Sequence, residues 1–210
     1  MSSLSKITIA LVLAAMVLPS QARAATGKPL RTGQTTTYGA AGDTTAGIRR
    51  SLVDNGQGWI KDQRTGLMWE KKDDSSGVHG KRRTYTWSTS GSNTASGTVF
   101  TTFLATLNTV PCFAGFCDWR LPTRFELDTI TNLGEVASGA PAVDTIFDTG
   151  CVSGCDLTEC SCTDTNAYWT SSTFAEDPAR AWVVLFTQGA QAEYTKTSNL
   201  QSARAVRNFR

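Results

Sequence analysis

Large apolar side chains are almost absent between residues 25 and 50 and become frequent after about Leu52, and beyond that point two periodicities divide the chain. Trp59-Ile60-Lys61-Asp62 and Leu67-Met68-Trp69 are short apolar runs separated by Arg64-Thr65-Gly66, a spacing that predicts a β-hairpin. Phe100, Phe103, Leu104 and Leu107 fall at i, i+3, i+4 and i+7 and predict an amphipathic helix starting near Ser96 or Thr98. Towards the end the period returns to that of strands. Tyr168 to Ser172 is one candidate. Ala181 to Phe186 is a near-continuous apolar run of strand length, closed by Gln188-Gly189, with a partner around Ala192 to Lys196. Ala203 to Arg207 makes a last strand. Strands and helices are segregated along the chain rather than alternating. This predicts an α+β fold, two helices packed on antiparallel strands, and argues against a doubly wound sheet.

The second helix is announced by Asp118-Trp119-Arg120-Leu121-Pro122-Thr123-Arg124-Phe125-Glu126-Leu127. Pro122 biases Leu121 towards extended backbone. Thr123 and Glu126 have the spacing of a capping box, in which each side chain satisfies the other's backbone N–H. Leu127, Ile130 and Leu133 continue at helical spacing, and Gly134 is a stop. Arg120 sits between Trp119 and Leu121, both expected to be buried, so it needs a carboxylate or carbonyl partner. Two roles fit the stretch: structural punctuation, or a ligand site lined by Asp118, Arg120 and Glu126.

The start of the chain reads as an export signal. Lys6 precedes an apolar run, Ile7 to Leu18, too short to span a membrane, and Ala22-Arg23-Ala24 gives a cleavage site. The expected organisation is a signal peptide over 1–24, a Gly/Thr-rich arm over 25–50 and a compact domain over 51–210. Losing Lys6 and Arg23 brings the 20 basic residues level with the 18 acidic ones, so bulk charge gives no reason to expect nucleic acid. No other segment is long enough for a membrane span, so a secreted, periplasmic or cell-surface protein is expected, without membrane insertion after cleavage.

In an exported chain the 6 cysteines are read first as disulfides. Cys112 and Cys117 flank a short Gly-containing loop and can close on each other. Cys151, Cys155, Cys160 and Cys162 crowd together. Cys160 and Cys162 are too close along the chain to pair comfortably, so each is expected to bond Cys151 or Cys155, in either of two connectivities. A four-thiolate zinc knot is the rival, but its spacing is not the usual paired C-x2-C. No metal or cofactor is expected. Residues 138–166, with Pro141 and these four cysteines, form a long irregular loop, and its length makes it a functional candidate.

Lys71, Lys72, Lys81, Arg82 and Arg83 form a basic segment around a Gly/Ser loop. It reads either as solvated surface or as a contact for an acidic polymer. His79, the only histidine, lies inside it and reads as a solvated loop residue; one histidine excludes a multi-His metal site. No nucleophile elbow of the G-x-S-x-G type is present. Asp54-Asn55-Gly56-Gln57-Gly58 is a turn signal that lacks the spaced acids of a calcium loop.

Residues from about 31 to the end carry a resemblance. Asp54-Asn55-Gly56, Asp62 with Thr65-Gly66-Leu67-Met68-Trp69, Asp118 to Leu127, Tyr168 to Ser172, Ala181-Trp182, Gly189 and Val206-Arg207 appear in the order found in the Lcl C-terminal domain family. The 118–127 stretch also resembles, more distantly, the RLPTEAEWE-type run of formylglycine-generating sulfatase-modifying proteins. The resemblance implies a C-type-lectin-like fold with its termini close together, to which the cysteines of this chain add long disulfide-stapled loops. It also implies that the arm, with Thr32-Gly33-Gln34-Thr35, can be folded with the domain. The family's founding example belongs to a collagen-like adhesin that binds sulfated glycans. This chain has no collagen repeat, and it lacks the Glu-Pro-Asn and Gln-Pro-Asp sugar motifs of calcium-dependent lectins. The functional expectation is an exported, non-enzymatic binding module for a surface or extracellular acidic or sulfated glycan, with Lys71, Lys72, Lys81, Arg82 and Arg83 meeting charge and Trp169 stacking on a sugar. The alternatives are a protein-binding or structural subunit of an envelope or surface assembly, and an enzyme with formylglycine-generating chemistry, which would need a reactive cysteine pair.

Overall fold

The structure, a computed structural model, describes residues 29–37, 44, 46–91 and 93–209. The signal peptide, its cleavage site and part of the arm lie outside the described residues.

Among the described residues seven strands form two antiparallel sheets. The first runs β1 (Leu52–Asp54), β2 (Trp59–Asp62), β3 (Leu67–Glu70) and β7 (Val206–Asn208), in that order across the sheet. The second holds β4 (Ala167–Thr173), β5 (Arg180–Leu185) and β6 (Ala190–Thr195). The predicted hairpin is β2–β3, with Trp59 opposite Glu70 and Asp62 opposite Leu67. Buried Asp62 ties its turn by accepting from the N–H of Arg64 at 2.8 Å. The Asp54-Asn55-Gly56 signal is a turn too: Asp54 Oδ1 accepts from Gly56 N at 2.9 Å, and Lys71 occupies the other carboxylate oxygen.

Strand periodicity explains how one short domain carries two cores. Met68, Trp169 and Val183 belong to one apolar cluster; their chain neighbours Trp69, Tyr168 and Val184 belong to a second. Successive side chains leave a strand on opposite faces, so β3, β4 and β5 are buried on both. That is the reason Ala181 to Phe186 reads as unbroken apolar sequence rather than as alternation.

A helix seals each cluster. Val99–Leu104 forms a π-helical turn that passes into α1 (Ala105–Asn108), burying Val99, Phe103, Leu104 and Leu107 against the first. The second helix, α2 (Arg124–Asp128), places Leu127 in the other cluster, joined by Ile130. It is shorter than the spacing of Leu127, Ile130 and Leu133 predicts. Arg50 takes the carbonyls of Thr129 and Thr131, and Thr131 pairs with Val143 as an isolated bridge, so the chain leaves the helix before Ile130. Gly134 instead precedes a separate 3-10 turn, Glu135–Ser138.

The long loop is stapled by Cys151–Cys162 and Cys155–Cys160, and Cys112–Cys117 closes its own small loop. Of the two connectivities open from sequence, this is the nested one. Part of the arm lies against the domain: Leu30 bridges Ile48, and Leu133 N donates to Thr32 O at 2.8 Å. No helix among the described residues is long and apolar enough to cross a membrane.

Candidate functional site: an arginine cleft beside a closed polar core

The signature stretch is a clamp. Trp119 and Leu121 are buried, and Arg120 between them exchanges backbone hydrogen bonds with Val206 at 2.9 Å in each direction. Its guanidinium meets Glu126 in a two-pronged pair, Nη1 to Oε2 and Nη2 to Oε1, both at 2.8 Å. Glu126 also completes the capping box: its carboxylate accepts from Thr123 N at 2.8 Å, and its own N–H donates to Thr123 Oγ1 at 3.2 Å. Burial pushes the Glu126 carboxyl up, but the bonds from Arg120 and Thr123 outweigh it and hold it below the ordinary value. Asp118 pairs with Arg207 at 2.6 Å. Asp118, Arg120 and Glu126 are thus committed to holding α2 and β7 together.

The basic segment is mostly turned inward. Lys71 is buried and paired with Asp54 at 2.8 Å. Lys72 is buried, 3.0 Å from Glu70, with its ammonium over the Phe103 ring. Buried charges persist only when paired, and both lysines satisfy that rule inside the protein. Lys81 is partly covered against Asp74 and Cys151, and only Arg82 and Arg83 are exposed. Trp169 is fully buried, its indole N–H donating to Tyr85 O at 2.7 Å. It cannot stack on a sugar: Ala167 to Thr170 of β4 are buried on both faces. The expectations for Lys71, Lys72 and Trp169 as ligand contacts are therefore corrected.

His79 is not a solvated loop residue either. Its Nδ1 lies 2.7 Å from Glu70 Oε1, and its ring packs on Phe113. Glu70 is fully buried and also accepts from Ala205 N at 2.9 Å. Burial pushes its carboxyl up; Lys72 and His79 more than reverse this and hold it below the ordinary value. Arg204, equally buried, donates to the carbonyls of Glu70 and Cys162 and to Thr163 Oγ1, each at 2.8 Å. These groups bond one another in the interior, with Arg204 Nε left without a hydrogen-bond partner.

Open space lies along the arm. Two clefts, of about 410 and 460 Å³, meet at Arg31 and Arg50. The first is bounded by Leu30, Phe125, Asp128 and Leu133, the second by Gln34, Arg49, Asn132 and Asp144. Arg50 is fixed by the carbonyls beyond α2, and its burial lowers its pKa against the pull of Asp144, Asp128 and Asp62. Arg31 donates to Gly47 O at 3.3 Å, and Arg49 is exposed. Among the described residues neither Arg31 nor Arg49 takes part in an ion pair. Phe125, projecting from α2, is 69 % exposed with the Arg124 guanidinium over its ring. Gly33 holds the arm close: it has φ +85°, and a Cβ there would collide with the Asn132 side chain.

A family description, the Lcl C-terminal domain, matches residues 58–207. The chain belongs to the Lcl C-terminal domain family. The match takes in the α2 clamp, the closed polar core and the stapled loop, and it begins after Arg31, Arg49 and Arg50. The cleft is thus built half from the family's own domain and half from the arm that precedes it. No curated protein matches the chain. Sequence reasoning passed over the three arginines because a stretch poor in large apolar residues reads as a loose arm; the signal available was their density in a segment otherwise made of small residues.

Proposed function

We propose that the protein is an exported, non-enzymatic binding module of C-type-lectin-like fold, whose ligand is a surface or extracellular acidic or sulfated glycan. The observation that carries this reading is the cleft at Arg31, Arg49 and Arg50 with exposed Phe125 at its edge. Guanidinium groups form paired hydrogen bonds with sulfate and carboxylate, and an exposed aromatic face suits the apolar side of a sugar ring. The three disulfides support export to an oxidising compartment: the periplasm, the cell surface or the medium. Among the described residues no cysteine is free, which counts against formylglycine-generating chemistry.

A glycan array probed with the mature chain from Ala25, at low and at physiological salt and with and without a chelator, tests the reading. Salt-sensitive, chelator-insensitive binding to sulfated or uronic glycans supports it. A blank array from correctly disulfide-bonded protein transfers the role to a protein partner.

A further inference from the structure

The two disulfides of the stapled loop lie against each other. Cys162 Sγ stands 3.8 Å from Cys155 Sγ and 3.7 Å from Cys160 Sγ, across from its own partner Cys151. At that separation a thiolate released on Cys162 already touches the neighbouring disulfide, and exchange proceeds by attack of a thiolate on a disulfide sulfur.

The four cysteines differ in exposure. Cys155, Cys160 and Cys162 are 4 %, 1 % and 0 % exposed, whereas Cys151 is half-buried. Lys81 Nζ lies 3.0 Å from Cys151 Sγ. Its carboxylate partner, Asp74 at 3.4 Å, is shared with Arg82 at 2.9 Å, so two cations face one acid beside the Cys151 sulfur. The inner sulfur is held in place: Cys162 N donates to Lys72 O at 2.8 Å, and its carbonyl accepts from Arg204 at 2.8 Å. A sulfur on the one partly exposed cysteine of the four, flanked by positive charge and bonded to a buried sulfur that lies against a second disulfide, is an arrangement for directed exchange.

We propose that Cys151 is a thiol-exchange site, at which an external thiol forms a mixed disulfide and starts a transfer between the two stacked disulfides. The Lys81 ammonium draws the incoming thiolate to Cys151 Sγ. The new bond joins the external sulfur to Cys151; the Cys151–Cys162 bond breaks, and its electron pair leaves on Cys162 as a thiolate. Cys162 attacks Cys155, forming Cys155–Cys162 and releasing Cys160 as the thiolate. Cys160 then attacks Cys151 in the mixed disulfide, forming Cys151–Cys160 and expelling the external thiolate unchanged. There is no net oxidation. The thiol is a catalyst, and the product is the other of the two connectivities open to these four cysteines. The site is separate from the arginine cleft and does not depend on its having a ligand.

The oxidised mature chain, incubated with glutathione below one equivalent, quenched in acid with an alkylating agent and mapped by fragmentation mass spectrometry, tests this. The expected result is a glutathione adduct on Cys151, the alkyl label divided between Cys162 and Cys160, and the Cys151–Cys160, Cys155–Cys162 isomer in excess of the thiol added. The Cys112–Cys117 pair, whose Cys117 is exposed, is the internal comparison because it has no second disulfide beside it. Replacing Lys81→Gln should slow adduct formation by roughly five-fold, the factor for one unit charge at about 4 Å fully screened by water, and Lys81→Arg should restore it. In the Cys155→Ser, Cys160→Ser double variant the adduct should form while the label stays on Cys162. Adduct on Cys112 or Cys117 with the stapled loop untouched, a label on Cys162 alone in the unsubstituted chain, or an unchanged rate in Lys81→Gln would each overturn the proposal.

Discussion

His79 Nδ1 is 2.7 Å from the fully buried carboxylate of Glu70, whose same oxygen is 3.0 Å from Lys72 Nζ. One buried acid therefore anchors the loop 71–83 from two directions while its other oxygen holds Ala205 N. Burial pushes the Glu70 carboxyl up, but the Lys72 ammonium and the hydrogen bonds from His79 and Ala205 hold it below its ordinary value. A lowered folded pKa means stability that is fully present above the unfolded value and is lost as pH falls below it towards the folded one. Melting temperature should hold near neutrality and drop below about pH 4.5. Glu70→Gln should cost about 3–5 kcal/mol at pH 7 by leaving Lys72 buried without its counter-charge, and should flatten the acid limb. An acid limb as steep in the variant as in the parent would remove Glu70 from the account.

The clamp at α2 gives a smaller effect. Glu126→Ala removes both the capping box and the partner of Arg120. Since the Arg120 side chain is 39 % exposed, the ion pair is screened and the cap should dominate, for a loss of about 1 kcal/mol in chemical denaturation. Arg120→Met, which keeps the cap, should cost less. A larger loss in Arg120→Met than in Glu126→Ala would mean that the pair, not the cap, holds the helix.

Trp169→Ala should destabilise by about 3–5 kcal/mol, as expected for a large buried aromatic, with its indole hydrogen bond to Tyr85 also lost. Under conditions where the variant stays folded, ligand binding should be unchanged. Selective loss of binding in a fully stable Trp169→Ala protein would restore it as a contact residue.

Gly33→Ala should displace the arm, because that position has φ +85° and its Cβ would strike Asn132. The amide of Leu133, bonded to Thr32 O at 2.8 Å, should exchange with solvent faster, and glycan binding should weaken although no charge is removed. Unaltered exchange at Leu133 would show that the arm does not depend on this glycine.

Much of this fold was legible because it is local. The Thr123–Glu126 box needs only four residues of sequence, and the β2–β3 hairpin and the face from Phe103 to Leu107 announce themselves by spacing. What the sequence hid is set by distant partners. Lys71 and Trp169 look available until Asp54 and the second face of β4 cover them. The end of α2 is fixed by Arg50, which comes from the arm. The cleft was hidden for the same reason: it exists only where residues near 31 and 50 meet residues near 125 and 132.

The most direct test of the binding account is titration of the mature protein with a sulfated polysaccharide at two salt concentrations. It would compare the parent, an Arg31→Glu, Arg49→Glu variant and an Arg82→Glu, Arg83→Glu variant. The cleft reading predicts that the first variant loses affinity by about tenfold or more, with a shallower salt dependence, while the second stays near the parent. Parent-like binding by the first variant together with loss in the second would contradict the cleft and assign the contact to the exposed end of the basic loop.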